Sequence, residues 1–413
     1  MAYQFPTGFI WGTATAAHQV EGGNTASDLW LMEWMKESIF TEPSADACDH
    51  YHRYDSDIGL LKGLGFNTYR LSIEWARIEP EEGFFSKAAL DHYRRVLASC
   101  HAQNVTPMVT FHHFTAPLWF TCDGGWEDSK SVDRFSRYCE KAADALGDLL
   151  PYICTINEAN IPQMITSMRE ASGRQSKPGG QRDRALAEAA RLCGGEPGRF
   201  APYLSGDGHK ATPNLIAAHR KAYAVIKERV KGMVGVTLSL TDYQAVDGGE
   251  KLRDEIDHAV NGQFLQAMKG DDFVGVQTYS RTLIGKDRLL PPPNDAERTQ
   301  MGYEFYPEAL EACIRNAVKQ SGCTVIVTEN GIGTEDDTRR IAYTERALNG
   351  VINCLKDGID LRGYIHWSMM DNYEWLEGYR PKFGLVDVDR STQARKPKPS
   401  AYWLGSIAKR NAF

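Results

Sequence analysis

The sequence predicts an α/β fold, a (β/α)8 TIM barrel forming a single domain over residues 1–413. Short apolar or β-branched runs recur eight times along the chain, and amphipathic helical stretches lie between them. No internal repeat appears and no linker separates a second unit, and barrels with insertions reach this length as one domain. A doubly wound open sheet would produce a similar alternation.

The eight runs are Phe9 to Thr15, Asn67 to Ile73, Thr106 to Phe111, Tyr152 to Ile156, Met233 to Leu240, Phe273 to Tyr279, Thr324 to Thr328 and Leu361 to Trp367. Their β-branched and aromatic content suits strands buried on both faces. Between the second and third runs, Leu90, Tyr93, Val96, Leu97 and Cys100 keep the three-and-four spacing of one buried helical face. Val132, Phe135, Cys139, Ala142 and Leu146 do the same before the fourth. Thr212-Pro213 and Tyr306-Pro307 read as helix starts, because a first turn accepts proline without losing a hydrogen bond. The segment 169–208 is rich in Gly, Pro, Ser and Arg and is interrupted by a helix-like run from Arg182 to Leu192. It is expected as an irregular loop insertion, either a plain surface excursion or part of the rim of a site.

Composition narrows the function. With 42% hydrophobic and 24% charged residues the chain has ample material for a core. A formal net charge of -7 gives no electrostatic reason to expect nucleic acid or an anionic membrane as partner, so a small neutral substrate fits better. The start Met1-Ala2-Tyr3-Gln4-Phe5-Pro6 has no basic region before an apolar run, and no stretch reaches the ~18 apolar residues of a membrane span. The cysteines at 48, 100, 122, 139, 154, 193, 313, 323 and 354 are scattered and lack metal or redox spacing. A reducing, cytoplasmic setting with thiols as small packing groups is the expectation.

In a barrel, reactive groups belong where strands end at the C-terminal face. Glu158 follows the run Tyr152 to Asn157, and Glu329 follows Thr324 to Thr328 and precedes Asn330-Gly331. A carboxylate at a strand mouth is costly to desolvate unless paired or used, so two of them invite a catalytic reading, although an ion pair with arginine would look the same. After the eighth run come His366-Trp367-Ser368-Met369-Met370-Asp371-Asn372-Tyr373-Glu374-Trp375. Aromatic platforms beside charged hydrogen-bonding groups suit sugars, which combine apolar C–H faces with hydroxyls. Core packing is the alternative for each tryptophan. The vicinal His112 and His113 point to opposite faces of a strand and lack a partner triad, so no metal is expected.

These residues carry a resemblance. Phe5-Pro6, Trp11-Gly12, Gln19, Glu21-Gly22, Asp49-His50-Tyr51-His52-Arg53-Tyr54, Tyr69-Arg70, Ser72-Ile73-Glu74-Trp75 and Thr155-Ile156-Asn157-Glu158 form an ordered series. Thr328-Glu329-Asn330-Gly331, Trp367, Asp371-Asn372-Tyr373-Glu374-Trp375 and Phe383-Gly384-Leu385 continue it. The chain thereby resembles glycoside hydrolase family 1, the β-glucosidase family, over nearly its whole length. The resemblance implies a retaining β-glycosidase, most readily a β-glucosidase, acting on terminal non-reducing β-D-glycosyl residues through a covalent glycosyl-enzyme and needing no cofactor. It implies Glu158 as general acid/base and Glu329 as nucleophile, with Arg70 and Tyr279 beside the nucleophile. It further implies that Gln19, His113, Asn157, Glu374 and Trp375 hold the sugar hydroxyls and that Trp367 floors the pocket, with Asn157 on the 2-hydroxyl.

Four positions depart from the commonest family pattern. Ala159 stands for proline, Phe114-Thr115 for Trp-Asp, Gln277 for Asn and Lys382 for Arg. Gln277 keeps the donors and acceptors of a shorter amide, whereas Phe114 lacks an indole donor, a loss that can shift sugar preference. Two alternatives within the fold are a phospho-β-glycosidase, disfavoured because Glu374 would repel a 6-phosphate, and a non-catalytic sugar-binding relative, disfavoured because both glutamates are present. The preferred glycone, the aglycone and the oligomeric state are not readable.

Overall fold

In a computed structural model, described over residues 3–172, 179–196 and 198–413, eight parallel strands close into a barrel. They are β1 (Ile10–Ala14), β2 (Thr68–Ser72), β3 (Thr106–His112), β4 (Tyr152–Ile156), β5 (Met233–Ser239), β6 (Phe273–Gln277), β7 (Val325–Asn330) and β8 (Leu361–Trp367). Each falls on one of the eight runs expected from the sequence. β1 pairs with both β2 and β8, so the sheet has no edge and the open-sheet alternative is excluded.

The principal helices on the outside are α1 (His50–Leu64), α2 (Lys87–Ala102), α3 (Ser131–Leu146), α4 (Ile161–Ala171), α5 (Gln181–Leu192), α6 (Gly208–Lys227), α7 (Ala309–Ser321), α8 (Asp337–Lys356) and α9 (Pro399–Arg410). On α3 the predicted face is the buried one, with Phe135, Cys139, Ala142 and Leu146 wholly covered. Burying Phe135 or Leu146 contributes about 1.5–3 kcal/mol each before entropy is counted. α6 starts earlier than Thr212-Pro213 implied. The Asp207 carboxylate accepts from the His209 N–H at 3.0 Å and caps the helix there, leaving Pro213 inside it. Similarly, Tyr306-Pro307 lies just ahead of α7 rather than at its first turn.

Two apolar layers result from strand alternation. Ile10, Met108, Cys154, Phe273, Ile326 and Ile365 fill the barrel, while Val109, Ile153, Val274, Val325 and Val327 pack outward against the helices. Part of the 169–208 segment is ordered as α4 and α5; residues 173–178 and 197 lie outside the described residues.

Cys122 and Cys193 form a disulfide, which the scattered cysteine spacing gave no reason to expect. It links the helical turn Leu118–Cys122 after β3 to the residue capping α5, a contact made only by folding. Cys48, Cys100, Cys139, Cys154, Cys313, Cys323 and Cys354 are buried thiols. Among the described residues no helix is long and apolar enough to cross a membrane.

Candidate active site

At the C-terminal mouth of the barrel lies a cavity of about 330 Å³ lined by His113, Asn157, Glu158, Tyr279, Glu329, Trp367, Glu374 and Trp375, among others. Every site residue singled out in the sequence is either on this wall or bonded directly to it. Gln19 and Arg70 are the two bonded to it, through Glu374 and Glu329.

Glu329 reaches the cavity through a break in strand register. Val327 pairs with Val276 and Glu329 with Gln277, so β7 carries one residue more than β6 over this step. Such a bulge re-aims the side chains beyond it. Glu329 turns inward, and Asn330 donates to the Thr278 carbonyl at 2.7 Å and accepts from Tyr364 Oη at 2.9 Å. Both Glu329 oxygens hold a donor. Arg70 Nη1 donates to one, forming an ion pair whose side chains are 1% and 4% exposed, and Tyr279 Oη donates to the other at 2.6 Å.

Asn157 is oriented by its surroundings. Its Oδ1 accepts from Arg70 Nη2, from Thr237 Oγ1 at 3.1 Å and from Gln277 Nε2 at 3.1 Å. Only an oxygen can take three donors, so the amide orientation is fixed and Nδ2, buried without a protein partner, is left as the donor. Gln277, the departure noted in the sequence, keeps the amide contact. Gln19 is fixed the other way round: Nε2 donates to the Tyr373 carbonyl at 2.6 Å and to Asn372 Oδ1 at 3.3 Å, leaving Oε1 buried without a partner. A buried free donor and a buried free acceptor at one barrel mouth call for a ligand carrying hydroxyls.

Glu158 has a left-handed backbone, with φ 46°. Its N–H donates to Thr237 Oγ1 at 3.2 Å, and its carbonyl accepts from Tyr203 Oη at 2.9 Å. Phe114 (φ 69°) and Trp375 (φ 49°), both on the cavity wall, share this uncommon conformation. Non-glycine residues persist there only where neighbours hold them, and such residues cluster at functional sites.

The two glutamates differ in electrostatics. Burial pushes both carboxyls above their ordinary range, and Glu158 further, because beyond burial the Glu329 charge disfavours its ionisation. For Glu329 the guanidinium of Arg70 and the hydroxyl of Tyr279 oppose the effect of burial. Of the two, Glu329 is therefore the easier to ionise. Burial also raises Glu374 to about 8, with the Glu329 charge adding to it. This weakens the charge of Glu374 as a barrier to a 6-phosphate near neutral pH. What disfavours a phosphate is that, among the described residues, the cavity wall carries Glu158, Glu329, Glu374 and Glu377 but neither lysine nor arginine.

His112 and His113 point to opposite sides as expected. His113 lines the cavity and stacks on Trp367 and Trp375, with ring centres 5.9 and 6.1 Å away. His112 packs outward against Trp126 and Tyr203 at 5.2 and 5.0 Å. Burial holds both imidazoles neutral, His112 near 3 and His113 well below its ordinary value.

Sequence reasoning missed several groups. His18 stacks on Trp375 at 5.9 Å and is bonded to Glu33 at 2.7 Å. Thr237 ties Asn157 to Glu158, Ser239 bonds to the Glu158 carboxyl, and Tyr203 holds its backbone. Ser239 had a readable signal, since it ends β5 at the face where barrel sites form. His18 and Tyr203 had none, as their partners are distant in sequence.

The family model for glycosyl hydrolase family 1 matches residues 1–268 and 272–413. The chain is similar to beta-glucosidase A of Thermotoga maritima, 30% identical with 99% of each chain covered. It is likewise similar to a beta-glucosidase of an Agrobacterium species, 30% identical over 99% of this chain and 96% of the relative. Among solved structures, a beta-glycosidase superimposes with a TM-score of 0.93 at 50% identity, covering 98% of this chain and 97% of the other. The Thermotoga maritima beta-glucosidase in complex with glucoimidazole gives 0.85 at 27% identity, with 99% of each chain covered.

Proposed function

The chain belongs to glycosyl hydrolase family 1, and from that membership we propose that it is a retaining β-glucosidase in which Glu158 is the acid/base and Glu329 the nucleophile. One observation carries the assignment of roles: two buried carboxyls share one cavity in unlike surroundings. Arg70 and Tyr279 donate to Glu329 and favour its ionised form, whereas among the described residues no cation is bonded to Glu158, whose carboxyl burial and the Glu329 charge push further up. A pair of titratable groups pushed apart in this way supplies one nucleophile and one acid.

In the first step Glu329 attacks the anomeric carbon, the bond to the leaving oxygen breaks, and the Glu158 proton passes to that oxygen. The Glu158 carboxylate then takes a proton from water as its oxygen attacks the same carbon. The ester bond to Glu329 breaks and both carboxyls return to their starting states. Asn157 Nδ2 is the donor for the sugar's 2-hydroxyl, a contact that strengthens as the ring carbon becomes cationic. Gln19 Oε1 and Glu374 meet hydroxyls farther round the ring, and Trp367 supplies an apolar floor.

Two inversions leave the anomeric centre unchanged, so the first product seen by proton NMR should be the β-anomer. Glu329→Ala should abolish hydrolysis, and azide should restore cleavage of an activated β-glucoside as the α-glycosyl azide. Glu158→Ala keeps the nucleophile, so azide should there yield the β-glycosyl azide. An α-anomer as first product of the native enzyme would overturn the double displacement.

A further inference from the structure

A second cavity, of about 510 Å³, lies between α4, α5 and the start of α6 and shares none of its described residues with the one at the barrel mouth. Arg169, in the last turn of α4, and Arg182, in the first turn of α5, both line it. Arg182 donates through Nη2 to the Ser205 carbonyl, while its Nε is buried without a partner. Among the described residues the Arg169 guanidinium has neither an ion pair nor a hydrogen bond.

Two such cations side by side are unfavourable as they stand. Burial disfavours the charged Arg169 guanidinium, and the Arg182 charge adds to that effect. The last turn of α4 suits one cation, but the first turn of α5, where Arg182 stands, is the end of a helix that favours anions. The carboxylates on the same wall are engaged elsewhere. Glu170 is bonded to His209 at 2.9 Å, and Asp183 accepts from the Gly179 N–H at 3.1 Å. Glu127 accepts from the Asp207 N–H at 2.7 Å and pairs with Lys210 at 3.5 Å, while Asp207 caps α6.

A dianion between the two guanidiniums would remove the conflict, and the planar fork of arginine matches phosphate oxygens two at a time. Leu186 and Phe200 line the same cavity, whose volume falls within the ~300–1,000 Å³ of small-molecule sites, so an organic group fits beside the anion. We propose that this cavity binds a phosphate monoester, its phosphoryl group held by Arg169 and Arg182 and its organic group set against Leu186 and Phe200.

The test is calorimetric titration of the full chain with phenyl phosphate and with inorganic phosphate, at low salt and about pH 8, where a phosphate monoester is a dianion. Expected is saturable one-to-one binding of phenyl phosphate, at least about tenfold tighter than inorganic phosphate because the ring leaves water. Arg169→Gln should weaken it by at least about tenfold, and Arg169→Lys, which keeps the charge without the fork, by about threefold or more. Because the Arg169 guanidinium bonds nothing in the protein, Arg169→Gln should keep its Tm within about 2 °C of native. Absence of saturable binding, or equal affinity in native protein and Arg169→Gln, overturns the site. Inorganic phosphate bound as tightly as the ester overturns the monoester as ligand. If Arg169→Gln does not fold, undiminished affinity in Arg169→Lys overturns the role of Arg169. None of these outcomes bears on the reaction at the barrel mouth, which is read separately from β-glucoside hydrolysis.

Discussion

Glu374 combines two demands on one side chain. Burial and the nearby Glu329 charge lift its carboxyl to about 8, while Gln19 Nε2 approaches one of its oxygens at 3.5 Å. At neutral pH the free enzyme thus presents a protonated carboxyl, which both donates and accepts. Gln has the same capacity and nearly the same shape. Glu374→Gln should hold kcat/KM for aryl glucosides within about tenfold of native, whereas Glu374→Ala, losing two contacts at about 0.5–1.5 kcal/mol each, should cost about 5- to 150-fold. Equal losses in the two variants would mean that the ionised form is the one the sugar meets.

The barrel strands act as more than a frame, because small irregularities in them aim the reactive groups. The extra residue in β7 turns Glu329 inward, and the left-handed backbone at Glu158 turns its carboxyl into the same cavity. Gly275, in the middle of β6, lets neighbouring strands approach. A Cβ there would lie 2.6 Å from both Thr237 Cγ2 and Thr328 Oγ1. Thr237 is the residue that bonds Asn157 and the Glu158 N–H. Gly275→Ala should therefore destabilise the fold by about 1–3 kcal/mol in urea titration and lower kcat more than it raises KM. Native kcat in a destabilised variant would separate the packing of β6 from the geometry of the site.

At the scale of the whole molecule, buried acids near the barrel mouth set how stability depends on pH. Burial raises Glu74 to about 7, Glu374 to about 8 and Glu158 well above its ordinary value. His18 is also raised: burial opposes its charge, but the hydrogen bond and charge of Glu33 outweigh that. In the unfolded chain carboxyls ionise near about 4 and imidazoles near about 6.5. Above pH ~6.5 the folded state holds protons that the unfolded chain has released, so stability falls as pH rises through these folded values. His92, His112 and His366, lowered to about 4, 3 and 3, act in the opposite sense but only below about 6.5. The calorimetric Tm should thus drop between about pH 6.5 and about pH 8.5, and less steeply in Glu374→Gln. A level or rising Tm over that interval would contradict these shifts.

The sequence by itself determined the alternation of strands and helices, the positions of all eight barrel strands, and the two glutamates at strand ends, because these features are local. Apolar runs, helical spacing and a polar residue after a strand are all written within a few neighbouring positions. Barrel closure was different: the β1–β8 pairing that excludes an open sheet joins residues from opposite ends of the chain. Tertiary structure alone likewise decided which Asn157 atom faces the cavity, since its three donors come from β2, β5 and β6. It brought Cys122 to Cys193 and His18 to Trp375, contacts that have no local signature. The protonation order of Glu158 and Glu329 belongs to the same class. Two chemically identical side chains near strand ends are pushed up to different extents because only one of them folds against Arg70 and Tyr279.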